Sequence, residues 1–305
     1  MSVQVALHHR SRYLFDRPTV VLPHIIRLRP LAHGWAQVAH YALTIRPDHH
    51  HLHWQQDING NHIAQLVVPD LTCALDLSVD LVVTMTPVNP FAFLLDPPVA
   101  GYPFEYPPGL EVELAPFLRL SDPNSDFAAW VSGVRRSLPS AVGTVEMLLG
   151  LSRRVCQMIR YLERPEPGIQ EAHETLRSAS GSCRDNAWLL LQTLRHLGIA
   201  TRFVSGYLVE LSESPGLPHS EVTAGKSDRV ALHAWCDVYL PGAGWVGLDA
   251  TSGQLTTEGH IPLAAAAQPP FTAPIVGRTG PCSVRLEVGM SVTRVACARA
   301  NNPRQ

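Results

Sequence analysis

The sequence predicts an α+β fold in two parts, a β-sandwich-like amino-terminal domain followed by a core in which helices give way to strands. Three observations predict it. Over residues 75–83, apolar Leu75, Leu77, Val79, Leu81 and Val83 alternate with Asp76, Ser78 and Asp80, the period of a strand with one buried face. Beyond residue 120 the apolar period lengthens to three and four, as on an amphipathic helix. After Gly198 short β-type runs return, separated by Gly, Pro and Asn or Asp.

Residues 1–95 form the expected β-domain. Within it, residues 51–57 and 62–68 flank Ile58-Asn59-Gly60-Asn61, and Asn and Gly tolerate the positive φ that a tight hairpin turn demands. Several such strands imply a sandwich. From Pro87 the chain turns proline-rich, which disfavours helix and central strand alike, so residues 96–120 are expected to be a connector. The core is expected over 121–305. Residues 125–136 make a first helix, and Val145, Leu148, Leu149, Ser152, Cys156 and Ile159 form the stripe of a second, with Cys156 expected as a core thiol. A third helix begins near Ser182, buries Ala187, Leu190, Leu194 and Leu197 on one side, and stops at Gly198. Strands are expected at 201–209, 230–240, 244–248 and 283–295, with a polar Gly/Pro/Ser loop at 212–228 that could serve as a mobile lid.

Composition narrows the function classes. Across 305 residues, 46% are hydrophobic and 16% charged, against about 25% charged in an average soluble protein, which excludes wholesale disorder. The net charge of −2 offers no excess positive charge for nucleic acid or anionic membrane, so neither is expected as a partner. There is no apolar run near the ~18 residues of a membrane span and no apolar signal region at the amino terminus, so a cytoplasmic protein is expected. The six cysteines lack C-x-x-C spacing, and the histidine knot at His49, His50, His51 and His53 lacks a cysteine or acidic cluster beside it. No metal or cofactor is expected, and the knot reads as a polar strand end.

The chemistry concentrates in three separated segments. In Gly181-Ser182-Cys183-Arg184-Asp185, Ser182 and Asp185 are spaced as a capping box, which puts Cys183 in the first turn of a helix. Unpaired N–H groups and the macrodipole favour an anion there, so the thiol is expected to be activated as thiolate, although a small buried residue at a helix start explains this segment alone equally well. On the strand at 230–240, His233, Trp235, Asp237 and Tyr239 share one face and Cys236 takes the other. If Leu240-Pro241-Gly242 is a three-residue turn with Gly242 left-handed, Tyr239 lies opposite Ala243 and His233 opposite Asp249. A carboxylate bonded to one imidazole nitrogen leaves the other to pair with a thiol, the logic of a triad for acyl transfer. Taken singly, His233 reads as a satisfied core histidine and Asp249 as a turn residue. Trp235 reads either as a wall of the substrate site or as an aromatic packed between sheet and helix.

These residues, in the settings GSCRDNA, RFVSGYL and LHAWCDVYLPGAGWVGLDATSG, resemble the core of the transglutaminase-like superfamily. The segments RYLFDRPTVVLPHIIRLRP and QDINGNHIAQL are similar to the β-rich amino-terminal region that accompanies this core in many bacterial proteins. The resemblance implies a papain-like thiol fold, with helices packed on an antiparallel sheet. It also implies a Cys183, His233, Asp249 triad acting on a peptide or protein carboxamide. The chain departs from the pattern at Asn186, at Ala250 and over the run after His260-Ile261, where many relatives carry Gly-Arg-Asp-Tyr. Hydrolysis is the favoured outcome. Amine transfer, or a protein-binding module with a remnant triad, are the alternatives.

Overall fold

The computed structural model describes residues 2–32, 34–121, 124–164, 166–212 and 227–295. The β-rich part contains β1 (Val3–Thr19), β2 (His24–Ile26), β3 (Gln37–Arg46), β4 (His51–Gln56), β5 (His62–Val67) and β6 (Thr72–Met85). The middle of the chain contains β7 (Gly101–Tyr102), α1 (Pro108–Leu118), α2 (Ser125–Ser137), β8 (Val142–Gly143), α3 (Thr144–Met158), β9 (Arg160–Tyr161), α4 (Ala172–Ser178), β10 (Ser180–Gly181) and α5 (Cys183–His196). The remainder is β11 (Thr201–Glu210), β12 (Arg229–Leu240), β13 (Gly244–Asp249), β14 (Gln254–Leu255), β15 (His260–Ala266), β16 (Ile275–Val276) and β17 (Val284–Val295). No described helix is long and apolar enough to cross a membrane.

The amino-terminal strands build two sheets that enclose one core. Alternation along β6 places Leu75, Leu77, Val79, Leu81 and Val83 inside, against Val5 and Leu7 of β1 and Leu66 of β5. The β4–β5 hairpin turns at Gly60, whose φ is +78°, and the Asp57 carboxylate accepts the N–H groups of Asn59 and Asn61. His51 and His53 project on the exposed side of β4, and His49 pairs with Asp70 at 2.6 Å.

The core sheet runs in the order β14-β13-β12-β11-β15, with α5 packed on β11 and β12. Helix α5 is apolar beyond the single stripe read from the sequence. Trp188, Leu189 and Leu191 are as buried as Leu190 and Leu194, because α1, α3 and α4 surround the faces that the sheet leaves free. The buried stripe of α3 is Met147, Leu148, Leu151, Ser152 and Val155, rotated from the expected one. Cys156 is therefore only half-buried, and its thiol donates to the carbonyl of Thr251 at 3.0 Å.

Two expected boundaries change. The connector at 96–120 contains α1, which starts at Pro108 because a proline in the first turn forfeits no helical hydrogen bond. The core does not keep its last residues. β17 pairs along β1, with Leu7 opposite Val292, and β16 pairs with β2, so residues 275–295 complete both amino-terminal sheets. Strand pairing between chain ends is set by register across the whole fold, which a local pattern does not carry. The loop expected as a lid at 212–228 lies largely outside the described residues.

The two parts also share a core. Tyr207 and Val209 of β11 and Ile261 and Leu263 of β15 pack among the amino-terminal apolar residues, and the Tyr207 hydroxyl meets Nδ1 of His9 at 2.8 Å. The fully buried Asn61 is the closest tie. Its Nδ2 donates to the carbonyl of Ala265 at 3.0 Å, and its Oδ1 accepts the Ala265 N–H at 2.8 Å. Replacing Asn61 by Ala strands both backbone groups of Ala265, at about 1–3 kcal/mol each. Urea unfolding of Asn61→Ala should accordingly show a loss of roughly 2–6 kcal/mol, and a loss below half a kcal/mol would show that the two parts are not tied there.

Candidate active site

Cys183 opens α5 because the turn before it is held by a buried carboxylate. Asp185 accepts the N–H of Ser182 at 2.8 Å, the Ser182 hydroxyl at 2.8 Å and the N–H of Gln170 at 2.7 Å. The reciprocal capping box expected from Ser182 and Asp185 is present. Gly181 is demanded by this packing, since a Cβ there would lie 2.8 Å from Cβ of Asp185. Arg184 turns away and donates to the carbonyls of Arg164 and Glu166. The Cys183 side chain is left facing His233 with 8% of the residue exposed.

His233 sits on β12 and Asp249 ends β13. Gly242 is left-handed at φ +90°, as expected, but the three-residue turn is Pro241-Gly242-Ala243, one position further along, closed by the pair Leu240 and Gly244. Tyr239 lies opposite Trp245 and Cys236 opposite Leu248, a register two residues beyond the expected one. Because side chains alternate with period two, a shift of two preserves the face, and His233 and Asp249 still meet diagonally. Nε2 of His233 lies 3.1 Å from Oδ2 of Asp249, which leaves Nδ1 for the thiol. Cys236 takes the opposite face of β12, fully buried against α5.

The electrostatics follow from this arrangement. Burial opposes charge on His233, but hydrogen bonds to Asp249 and Cys183, and their negative charge, raise its pKa to about 10. Burial likewise opposes charge on Asp249, yet hydrogen bonds from His233 and His260 hold its carboxyl far below the usual range. Asp249 also accepts the N–H of Thr251 at Oδ1, at 2.8 Å.

His260 is the residue that sequence reasoning missed as part of the site. It stands just before the run that departs from the family pattern, and it arrives from the crossover linking β14 at one edge of the sheet to β15 at the other. Two glycines let that crossover and the start of β15 lie close against the sheet. A Cβ on Gly247 would sit 2.1 Å from Oγ1 of Thr256, and one on Gly206 would sit 2.3 Å from the carbonyl of Ile261. Both glycines stand in the quoted motifs, and they are the signal that something packs there. Nε2 of His260 reaches Oδ2 of Asp249 at 3.3 Å.

Trp235 is 3% exposed, stacked 6.4 Å from the His233 ring and edge-on to His260 at 5.2 Å, with its N–H on Asp237. Its ring borders a cavity of about 240 Å³ that Trp35, Phe93, Arg202, Trp245 and His260 also line. His233, Asp249 and His260 have ligand atoms within 4.8 Å of one another, the one such group among the described residues. Those atoms are already spent on one another in hydrogen bonds.

Two family models match the chain. The bacterial transglutaminase-like N-terminal region covers residues 5–84, and the transglutaminase-like superfamily covers 134–250, a span that includes Cys183, His233 and Asp249. Residues 134–250 belong to the transglutaminase-like superfamily. That membership supports a thiol enzyme at the level of the superfamily. Uncharacterized proteins of Mycobacterium tuberculosis and Mycobacterium bovis are each 28% identical over 233 residues, covering 73% of this chain and 70% of theirs. The crystal structure of a "Putative Cysteine Protease from Cytophaga hutchinsonii" superposes with a TM-score of 0.69 at 17% identity, over 97% of this transglutaminase-like chain and 92% of that one. The likeness extends the shared fold through both parts of the molecule.

The charge state of His233 can be read directly. Its ring protons should keep imidazolium shifts in an NMR titration through neutral pH and change only as pH approaches about 10. The midpoint should fall in Cys183→Ala and in Asp249→Asn. Since the folded pKa is raised above 6.5, the associated stability is complete below that pH and is lost as pH rises through about 10. A midpoint near 6.5 in the unaltered protein would contradict the thiol and carboxylate contacts.

Proposed function

We propose that this chain is a cysteine-dependent amide hydrolase that cleaves a peptide or isopeptide carboxamide through an acyl thioester. The observation that carries the reading is the buried His233–Asp249 pair, joined at 3.1 Å, with Cys183 beside that imidazole at the start of α5. A thiol whose proton rests on a neighbouring imidazole is a ready nucleophile, and an imidazole oriented by a carboxylate can return that proton at the next step.

In the proposed reaction the Cys183 sulfur attacks the carboxamide carbon, and negative charge collects on the carbonyl oxygen. The backbone N–H of Cys183, at the start of α5, is placed to donate to that oxygen. Collapse breaks the C–N bond, and the His233 imidazolium protonates the departing amine. A water molecule then gives its proton to His233 and attacks the thioester carbon, releasing a carboxylic acid and restoring the thiol. Asp249 stays ionised and keeps His233 turned toward the sulfur. Trp235 walls the imidazole pair. Water is the proposed acceptor because an amine outcompetes it only where a site both excludes water and positions the amine.

Cys183→Ala should abolish thioester formation, while Cys236→Ala, which alters only the packing against α5, should retain turnover. Asp249→Asn should lower kcat by about a hundredfold or more, since the nucleophile remains but its partner loses orientation. Incubation with glutamine-containing peptides and a labelled primary amine, read by mass spectrometry, separates the acceptors. Release of free acid ahead of amine incorporation supports the hydrolase. Predominant incorporation would make the chain an amine transferase, and no thioester with any amide would leave a binding module.

A further inference from the structure

We infer that His260 is a positioning residue of the thiol site, holding Asp249 against His233 through a hydrogen bond whose direction is dictated by the backbone amide of Thr257. The inference rests on the triad reading above and concerns a residue outside the segment matched by the superfamily.

The direction follows from which groups can donate. The His260 N–H closes a tight turn onto the carbonyl of Thr257 at 3.0 Å, and the Thr257 N–H points back at Nδ1 of His260 at 3.2 Å. A backbone amide only donates, so Nδ1 acts as acceptor and the ring proton sits on Nε2. Nε2–H then donates to Oδ2 of Asp249 at 3.3 Å, the same oxygen that faces Nε2 of His233 at 3.1 Å. The ring cannot swing away. Trp235 packs across it at 84°, and the carbonyl of Gly259, one residue earlier, accepts the N–H of Val209 in β11.

This arrangement does what a second imidazolium would not. A neutral donor stabilises the carboxylate and fixes its rotation without cancelling its charge, so His233 still faces a full negative charge. With the Thr251 N–H on Oδ1, Asp249 is held from three sides while only 2% exposed. The other titratable groups facing it are Cys156 of α3, Cys236 of β12 and Tyr161 of β9. Burial pushes each of them up, so they stay uncharged in mildly acidic solution.

The test is the pH profile of Cys183 alkylation by iodoacetamide, followed by peptide mass spectrometry, with exposed Cys73 as internal reference. In the unaltered protein Cys183 should be alkylated faster than Cys73 at about pH 6. His260→Phe, which fills the slot beside Trp235 without a donor, should lower the Cys183 rate at about pH 6 by about tenfold or more, the scale of one hydrogen bond to a charged group. The difference from the unaltered protein should shrink in alkaline solution. His260→Gln, whose amide can both donate to Asp249 and accept from Thr257, should retain most of the acid-side rate. A thermal melt establishes folding, and His260→Leu replaces the Phe variant if the latter does not fold. An apolar variant with the unaltered profile would reduce His260 to packing, and equal losses in Phe and Gln would remove the donor argument. If Cys183 of the unaltered protein reacts no faster than Cys73, the triad reading itself fails and the inference falls with it.

Discussion

A carboxylate carried into the interior of a small domain keeps its charge only if donors replace the water it has lost. Asp249 is such a group, and much of the core sheet is arranged around satisfying it. The β12–β13 hairpin supplies His233, the turn after β13 supplies the Thr251 amide, and the crossover into β15 supplies His260. Each donor arrives on a different stretch of chain. The buried charge therefore acts as a registry device, since a sheet paired otherwise would leave it uncompensated.

The amino-terminal sandwich braces this arrangement. β15 is an edge strand, and its inner register depends on what holds its free side. Asn61 supplies a two-bond clasp to Ala265, and the Leu31 N–H donates to the carbonyl of Pro262. Both contacts lie a few residues along the strand from His260. The return of β16 and β17 to the amino-terminal sheets closes the molecule, so the β-rich part is made from both ends of the chain. Its core is continuous with β11 and β15, which makes it part of the support of the site. Asn59-Gly60-Asn61 accordingly serves twice, with Gly60 making the turn and Asn61 reaching across to the core.

The parts of the site legible in the sequence were those encoded by neighbours. The capping box around Cys183 needs only residues three apart, and the shared face of His233 and Trp235 needs only the period of a strand. The pairing of His233 with Asp249 survived a register error of two residues because the error was even, and an odd slip would have turned one of them away. His260 was out of reach. Nothing local distinguishes it from a polar residue in a turn, and its role depends on a crossover that spans the sheet.

The sequence by itself determined the fold class, the hairpins, the start of α5 and the face from which His233 projects, because each is decided by periodicity, capping or turn chemistry within a few residues. Only the tertiary structure decided which strands the chain ends would join, how deeply α5 would be enclosed, and that Asp249 would be shared by two imidazoles. Those outcomes come from burial and from pairing between distant segments, where the free energy depends on the whole packed arrangement and on no local pattern.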